Sequence, residues 1–234
     1  MSKDLVILLH GITRSNIDMM LLEQRIKREG YDTLNIKYPS TKHALDPLSD
    51  HVYRKMGSDT RYASAPNVHF VAHSMGGLIT RHVIYKYRPK NLGKVVMLGT
   101  PNKGSEMANF MSDHRIFSKL YRMVFGPAGE QLRTNQDQID GGIINYTLGV
   151  IASNISLNPI GNQVFGQTND TLVSIESTKI EGMSDHIVIN STHTIMMFDP
   201  RVMDQTVYFL KNGNFDHKDR VKPEYPQESQ AGSN

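Results

Sequence analysis

Val68-His69-Phe70-Val71-Ala72-His73-Ser74-Met75-Gly76-Gly77-Leu78 is the stretch that decides the fold of this 234-residue chain. Residues 68–72 read as an apolar strand. Residues 75–87 read as a helix, with Leu78, Ile79 and Val83 spaced to bury one side. That leaves His73 and Ser74 for the turn between them. So tight a turn has no room for bulky side chains two positions before or after the serine, and Ala72 and Gly76 meet that limit. Gly77 lets the helix pass close to the sheet. A serine here also has an ordinary use, capping the helix with its hydroxyl.

The same alternation continues on both sides. Leu5-Val6-Ile7-Leu8-Leu9 is a short, wholly apolar run of the kind found in a strand covered on both faces. Residues 16–29 have helical spacing and end at Gly30, a plausible C-cap. Residues 33–38 read as a strand ended by Pro39, residues 47–62 as partly helical, and residues 94–98 as a further strand. Strand and helix alternate with short links. That specifies a mostly parallel central sheet with helices on both faces, an α/β class with right-handed crossovers.

After Leu98 the pattern changes. Residues 105–160 read as helical pieces without a dependable strand, including 116–125 and 143–154, and are expected to form a small helical cap. Sheet signals return weakly at 172–175 and at 186–189. Asp199-Pro200 opens a last helix, with Asp at the N-cap, Pro at the first position and Phe198 set to pack as a staple. Asn212-Gly213 ends it. One domain is expected over 1–215, and the polar segment 216–234 is expected to be a flexible tail.

Composition narrows the function. Lys plus Arg total 26 against 23 Asp plus Glu, a net +3 with no dense basic block, which argues against nucleic acid as a partner. With no cysteine, disulfides, a thiol nucleophile and thiolate metal sites are excluded. No run reaches membrane-spanning length, and the start lacks the features of a signal peptide, so a cytoplasmic location is the expectation.

The chemistry follows from the rim of the sheet. Ser74 between strand and helix has the setting of a nucleophile elbow, and the helix N-terminus behind it favours negative charge. His10-Gly11-Ile12 follows the first strand. Loops after the C-terminal ends of parallel strands share one rim, so the backbone N–H groups of Ile12 and Met75 can face one developing oxyanion. The alternative for residues 10–12 is a plain strand-ending turn.

A serine needs a base. Of the 10 histidines, His69 lies in a strand, His82 in a helix, His43 and His51 in the polar stretch before the elbow, and His217 in the tail. The order Ser, acid, His expected with this elbow leaves His114, His186 and His193. His193 lies on the rim loop after the last strand and is the expected base. His186 lies at the wrong end of that strand, and His114 in the cap. For the acid, Asp170 in Gln167-Thr168-Asn169-Asp170-Thr171 is favoured over Asp185 and over Asp113, Asp137 and Asp140. An Asx turn is its alternative use.

These stretches resemble the lipase and esterase branch of the α/β-hydrolases, including small bacterial lipases and carboxylesterases. The likeness rests on residues 6–12, 71–78 and 98–105, on Asn169-Asp170 with Val173 nearby, and on His193 with the apolar helix after it. Thr171 stands where the family's acid motif has glycine. The resemblance implies a triad of Ser74, Asp170 and His193, with Ile12 and Met75 as oxyanion donors. It implies no cofactor and no metal. The expected activity is hydrolysis of carboxylic esters of short to medium acyl chain. Longer-chain lipase or phospholipase, thioesterase, amidase and acyltransferase activities fit the same triad, and a non-catalytic binding protein of the same fold is the alternative outside catalysis. The expected partner is a small-molecule or lipid ester, with transient contact to a lipid surface.

Overall fold

The computed structural model describes residues 2–104, 126–128, 142–155 and 173–219. Six parallel strands form one sheet in the order β2-β1-β3-β4-β5-β6. They are β1 (Leu5–Leu9), β2 (Asp32–Ile36), β3 (Val68–His73), β4 (Leu92–Leu98), β5 (Leu148–Ser153) and β6 (Asp185–Ile189). The helices are α1 (Met20–Arg28), α2 (Leu45–Gly57), α3 (Thr60–Ser64), α4 (Met75–Tyr87), the single turn α5 (Ile175–Thr178) and α6 (Pro200–Asn212).

Side-chain alternation along β1 divides the core. Leu5, Ile7 and Leu9 face one layer with Leu48 and Val52 of α2 and Leu78 and Ile79 of α4. Val6 and Leu8 face the other, with Leu22 and Ile26 of α1 and Val207 and Leu210 of α6. Every residue of β1 is fully buried, which is why the sequence there is apolar at each position and shows no period. Burying each leucine contributes about 2 kcal/mol.

The chain runs from β1 outward to β2, then returns to the other side of β1 to form β3. The C-terminal ends of β1 and β3 therefore flank the point where the winding reverses. In open parallel sheets, ligands bind outside the strand C-terminal ends at such a point. Register aligns the rim: Leu9 is opposite Ala72, His73 opposite Leu98, and Leu98 opposite Ile151.

Residues 143–154 are not helical, because Leu148–Ser153 forms a fully buried central strand between β4 and β6. Leu148, Val150, Ile151 and Ala152 are apolar toward both layers, so the run lacks the alternation that marks a half-buried strand. The weak strand signal at 172–175 also fails. Residue 172 lies outside the described residues, and Ser174 instead caps α5 by accepting from Ser177 N–H at 3.1 Å. Most of the expected cap, within 105–160, lies outside the described residues.

The last helix begins as expected. Asp199 accepts from Arg201 N–H at 3.0 Å, Pro200 takes the first turn, and Gly213 at φ 80° closes the end. Phe198 instead stands in a short 3-10 turn and is not buried. Residues 216–219, expected in the tail, are tied down. Phe215 is buried against Phe209, and His217 Nε2 lies 2.9 Å from the Asp185 carboxylate. Among the described residues, no helix is long and apolar enough to cross a membrane.

Candidate active site

Ser74 has φ 53° and ψ −126°, backbone that only a tightly held turn imposes on a side-chain-bearing residue. It occupies the N-cap position of α4, yet its side chain makes no capping hydrogen bond. The structure therefore gives no support to the ordinary use of this serine as a helix cap. Its N–H donates to Leu98 O at 2.8 Å, which fastens the elbow to the end of β4.

The small residues around it are required by contact. A Cβ on Gly76 would lie 2.7 Å from both Leu9 O and His10 O. A Cβ on Gly11 would lie 3.2 Å from Ser74 Cβ and 2.9 Å from His73 Nδ1. A Cβ on Gly77 would lie 2.0 Å from Thr100 Oγ1. The elbow and the loop after β1 thus meet backbone to backbone.

His193 lies on the loop between β6 and α6 and is 5% exposed, while Ser74 is 7% exposed. Its imidazole packs over Gly99: a Cβ there would be 2.9 Å from His193 Nδ1. The His73 and His193 rings are 4.9 Å apart. The structure thus gathers Ser74, His193, Gly11 and the start of the β4 loop at one rim. Asp170 lies outside the described residues. Asp185 is at the N-terminal end of β6, away from this rim, and its carboxylate accepts from Phe215 N–H at 2.8 Å.

Ile12 and Met75 carry their N–H groups on peptides that are held from the other side. The carbonyl of the Gly11–Ile12 peptide accepts from His10 Nδ1 at 2.8 Å and from Arg14 N–H at 3.3 Å. The carbonyl of the Ser74–Met75 peptide accepts from Thr100 Oγ1 at 3.1 Å and from Gly77 N–H at 2.9 Å. A trans peptide is planar, so holding its C=O also sets the direction of its N–H. His10 is fully buried and stacks on Tyr38 with ring centroids 4.0 Å apart. Burial holds the His10 and His73 imidazoles below their ordinary pKa, His73 far below, so both are neutral at pH 7.

Sequence reading missed Thr100, which follows β4 on the same rim but meets the Ser74 carbonyl only through the fold.

Residues 1–112 match the family described as "Putative serine esterase (DUF676)". The chain is similar to the mature form of lipase BlEst2 from Bacillus licheniformis, with a TM-score of 0.74 at 17% identity, covering 89% of this chain and 92% of that one. The chain has the α/β-hydrolase fold. Another structure with this α/β-hydrolase architecture is phospholipase PlaB from Legionella pneumophila, with a TM-score of 0.72 at 14% identity over 92% of this chain; the chain spans 60% of PlaB. The metagenomic carboxyl esterase MGS0156 has a TM-score of 0.66 at 14% identity, over 82% of this chain and 65% of that one. No curated protein matches by sequence. The expected resemblance to lipase- and esterase-like α/β-hydrolases therefore holds, and the family match and structural neighbours support a serine hydrolase.

Proposed function

We propose that this α/β-hydrolase cleaves carboxylic esters by two-step acyl transfer through Ser74. The observation that carries the reading is Ser74 itself. It sits at φ 53° on the rim, fastened to β4, with no capping role for its hydroxyl. In this reading His193 takes the proton of Ser74 as the hydroxyl attacks the carbonyl, and Asp170 holds the imidazole tautomer. The Ile12 and Met75 N–H groups stabilise the oxyanion, worth about 3 kcal/mol per donor. His193 then delivers the proton to the leaving alcohol. Water, activated by the same base, releases the acid and frees Ser74. The cycle needs neither metal nor organic cofactor.

A short to medium acyl chain is the first expectation for the substrate. Longer lipid chains form a second reading, favoured by exposed apolar side chains beside the base loop. Ile195 is 52% and Ile17 68% exposed, and Ile195 and Phe198 line a shallow cleft of about 450 Å³. Transient contact with a lipid surface belongs to that reading.

The test is turnover of p-nitrophenyl esters of increasing chain length, beside a thioester and an anilide. Ser74→Ala and His193→Gln should each lower kcat on the order of 10⁴-fold or more, and Asp170→Asn by somewhat less. Full activity in a folded Ser74→Ala protein would overturn the proposal. An optimum at long acyl chains would select the second reading.

A further inference from the structure

Five successive backbone carbonyls on the loop that bears His193 each accept a hydrogen bond. Asn190 O accepts from Arg201 Nη2 at 2.6 Å, and Ser191 O from Ile155 N–H at 3.0 Å. Thr192 O accepts from Ile195 N–H at 3.2 Å. His193 O accepts from His73 Nε2 at 2.9 Å, and Thr194 O from Arg14 Nη2 at 3.2 Å. Ser191, Thr192 and His193 are buried, where backbone carbonyls must find partners within the protein. The last two donors are the informative ones. His73 is the residue before Ser74, and Arg14 is two residues beyond Ile12.

We propose that His73 and Arg14 are positioning residues that clamp the His193 loop to the nucleophile elbow and to the oxyanion loop. The inference rests on the reading of His193 as the base.

The chemistry of each donor suits that task. A carbonyl partner requires the proton of neutral His73 to sit on Nε2. Nδ1 faces Gly11, where a Cβ would lie 2.9 Å away, and has no hydrogen-bond partner among the described residues. A second proton would therefore be placed without an acceptor in a buried site. His73 works as a fixed, uncharged, single donor close to the His193 ring, a place where a lysine or arginine would add a charge. Arg14 is itself held, its Nη1 lying 3.3 Å from Asp18 Oδ1, while Asp18 Oδ2 accepts from Ser15 N–H at 2.8 Å. The oxyanion loop, the elbow and the base loop are thereby joined at adjacent carbonyls. A base loosened by about 1 Å loses on the order of 10²-fold in rate.

The test compares the full chain with His73→Phe, which keeps a buried ring without the donor, and His73→Gln, which restores an N–H donor. Arg14→Met and Arg14→Lys form the second pair and lie on a partly exposed side chain, so they remain informative if His73→Phe fails to fold. The first readout is independent of activity: the ring resonances of His193 in protein carrying labelled histidine, assigned by their loss in His193→Gln. The clamp predicts broadened or doubled His193 signals in His73→Phe and Arg14→Met, with recovery in His73→Gln and Arg14→Lys. The second readout is ester turnover. Here kcat should fall about 10–100-fold in His73→Phe with KM within about twofold. Unchanged His193 resonances and unchanged kcat in both His73→Phe and Arg14→Met would overturn the clamp. Moved His193 resonances in a protein without Ser74-dependent turnover would retain the clamp and overturn the esterase reading instead.

Discussion

The Thr100 hydroxyl donates to the Ser74 carbonyl across 3.1 Å, through space that Gly77 leaves open. That carbonyl and the Met75 N–H belong to one planar peptide, so the threonine aims the proposed oxyanion donor without touching the substrate. Thr100→Val keeps the shape and removes the donor. It should lower kcat about 10-fold with little change in KM, whereas Thr100→Ser should stay near wild type. Equal kcat in Thr100→Val and wild type would show that Gly77 N–H suffices.

Gly77→Ala tests the same contact from the other side. Its Cβ would fall 2.0 Å from Thr100 Oγ1 in a fully buried setting. The threonine must move or the helix must shift, at a cost of about 1–3 kcal/mol. The melting temperature should drop by about 5 °C, measured by circular dichroism. A stability equal to wild type would mean that the elbow has room the geometry denies.

Ser74 carries positive φ at 53°. Strain of this kind costs about 1–3 kcal/mol, and glycine relieves it, while losing about 0.5–1 kcal/mol to its freer unfolded chain. Relief should win by about 1 kcal/mol. Ser74→Gly is therefore expected to melt about 3 °C above Ser74→Ala, both without turnover. If Ser74→Ala were the more stable, the elbow would not be strained.

Stability should fall in mild acid. His186 Nε2 lies 3.1 Å from Thr178 Oγ1, and burial first, then Lys179, holds its pKa at about 4. The unfolded chain takes up that proton near pH 6.5. With the folded pKa depressed, the contribution is fully present above pH 6.5 and is lost as pH falls toward 4. Urea midpoints measured across this window should decline less steeply in His186→Gln than in wild type. Parallel slopes would assign the acid sensitivity to His73, His69 or His10, whose buried imidazoles shift the same way.

Phe215→Ala should cost about 3–5 kcal/mol, although the residue follows the last helix. Its ring is 1% exposed and lies 4.8 Å from that of Phe209 over Gly149, where a Cβ would be 2.7 Å from Phe215 Cζ. A drop in melting temperature of about 10 °C is expected; a change under 2 °C would show that the ring adds nothing to the packing around Phe209.

The elbow, β1 to β4 and the helices between them were legible because each writes its own period or its own tight-turn residues into the chain. Ser74 and the Asp199-Pro200 helix start are local facts of that kind. The strand Leu148–Ser153 was not, since full burial on both faces erases alternation and leaves an apolar run that also fits a helix. Nor was the packing of Phe215 and His217, whose partners Phe209 and Asp185 sit on other elements.

By itself the sequence determined a parallel α/β sheet and a serine on a strand-to-helix turn, because spacing and side-chain size act between neighbours along the chain. Tertiary structure alone decided what faces that serine. It brought the carbonyl of His193 to His73, residues 120 apart in the chain, and turned both peptides next to the rim by hydrogen bonds on their far sides. Such contacts depend on strand order and register, which no local pattern encodes.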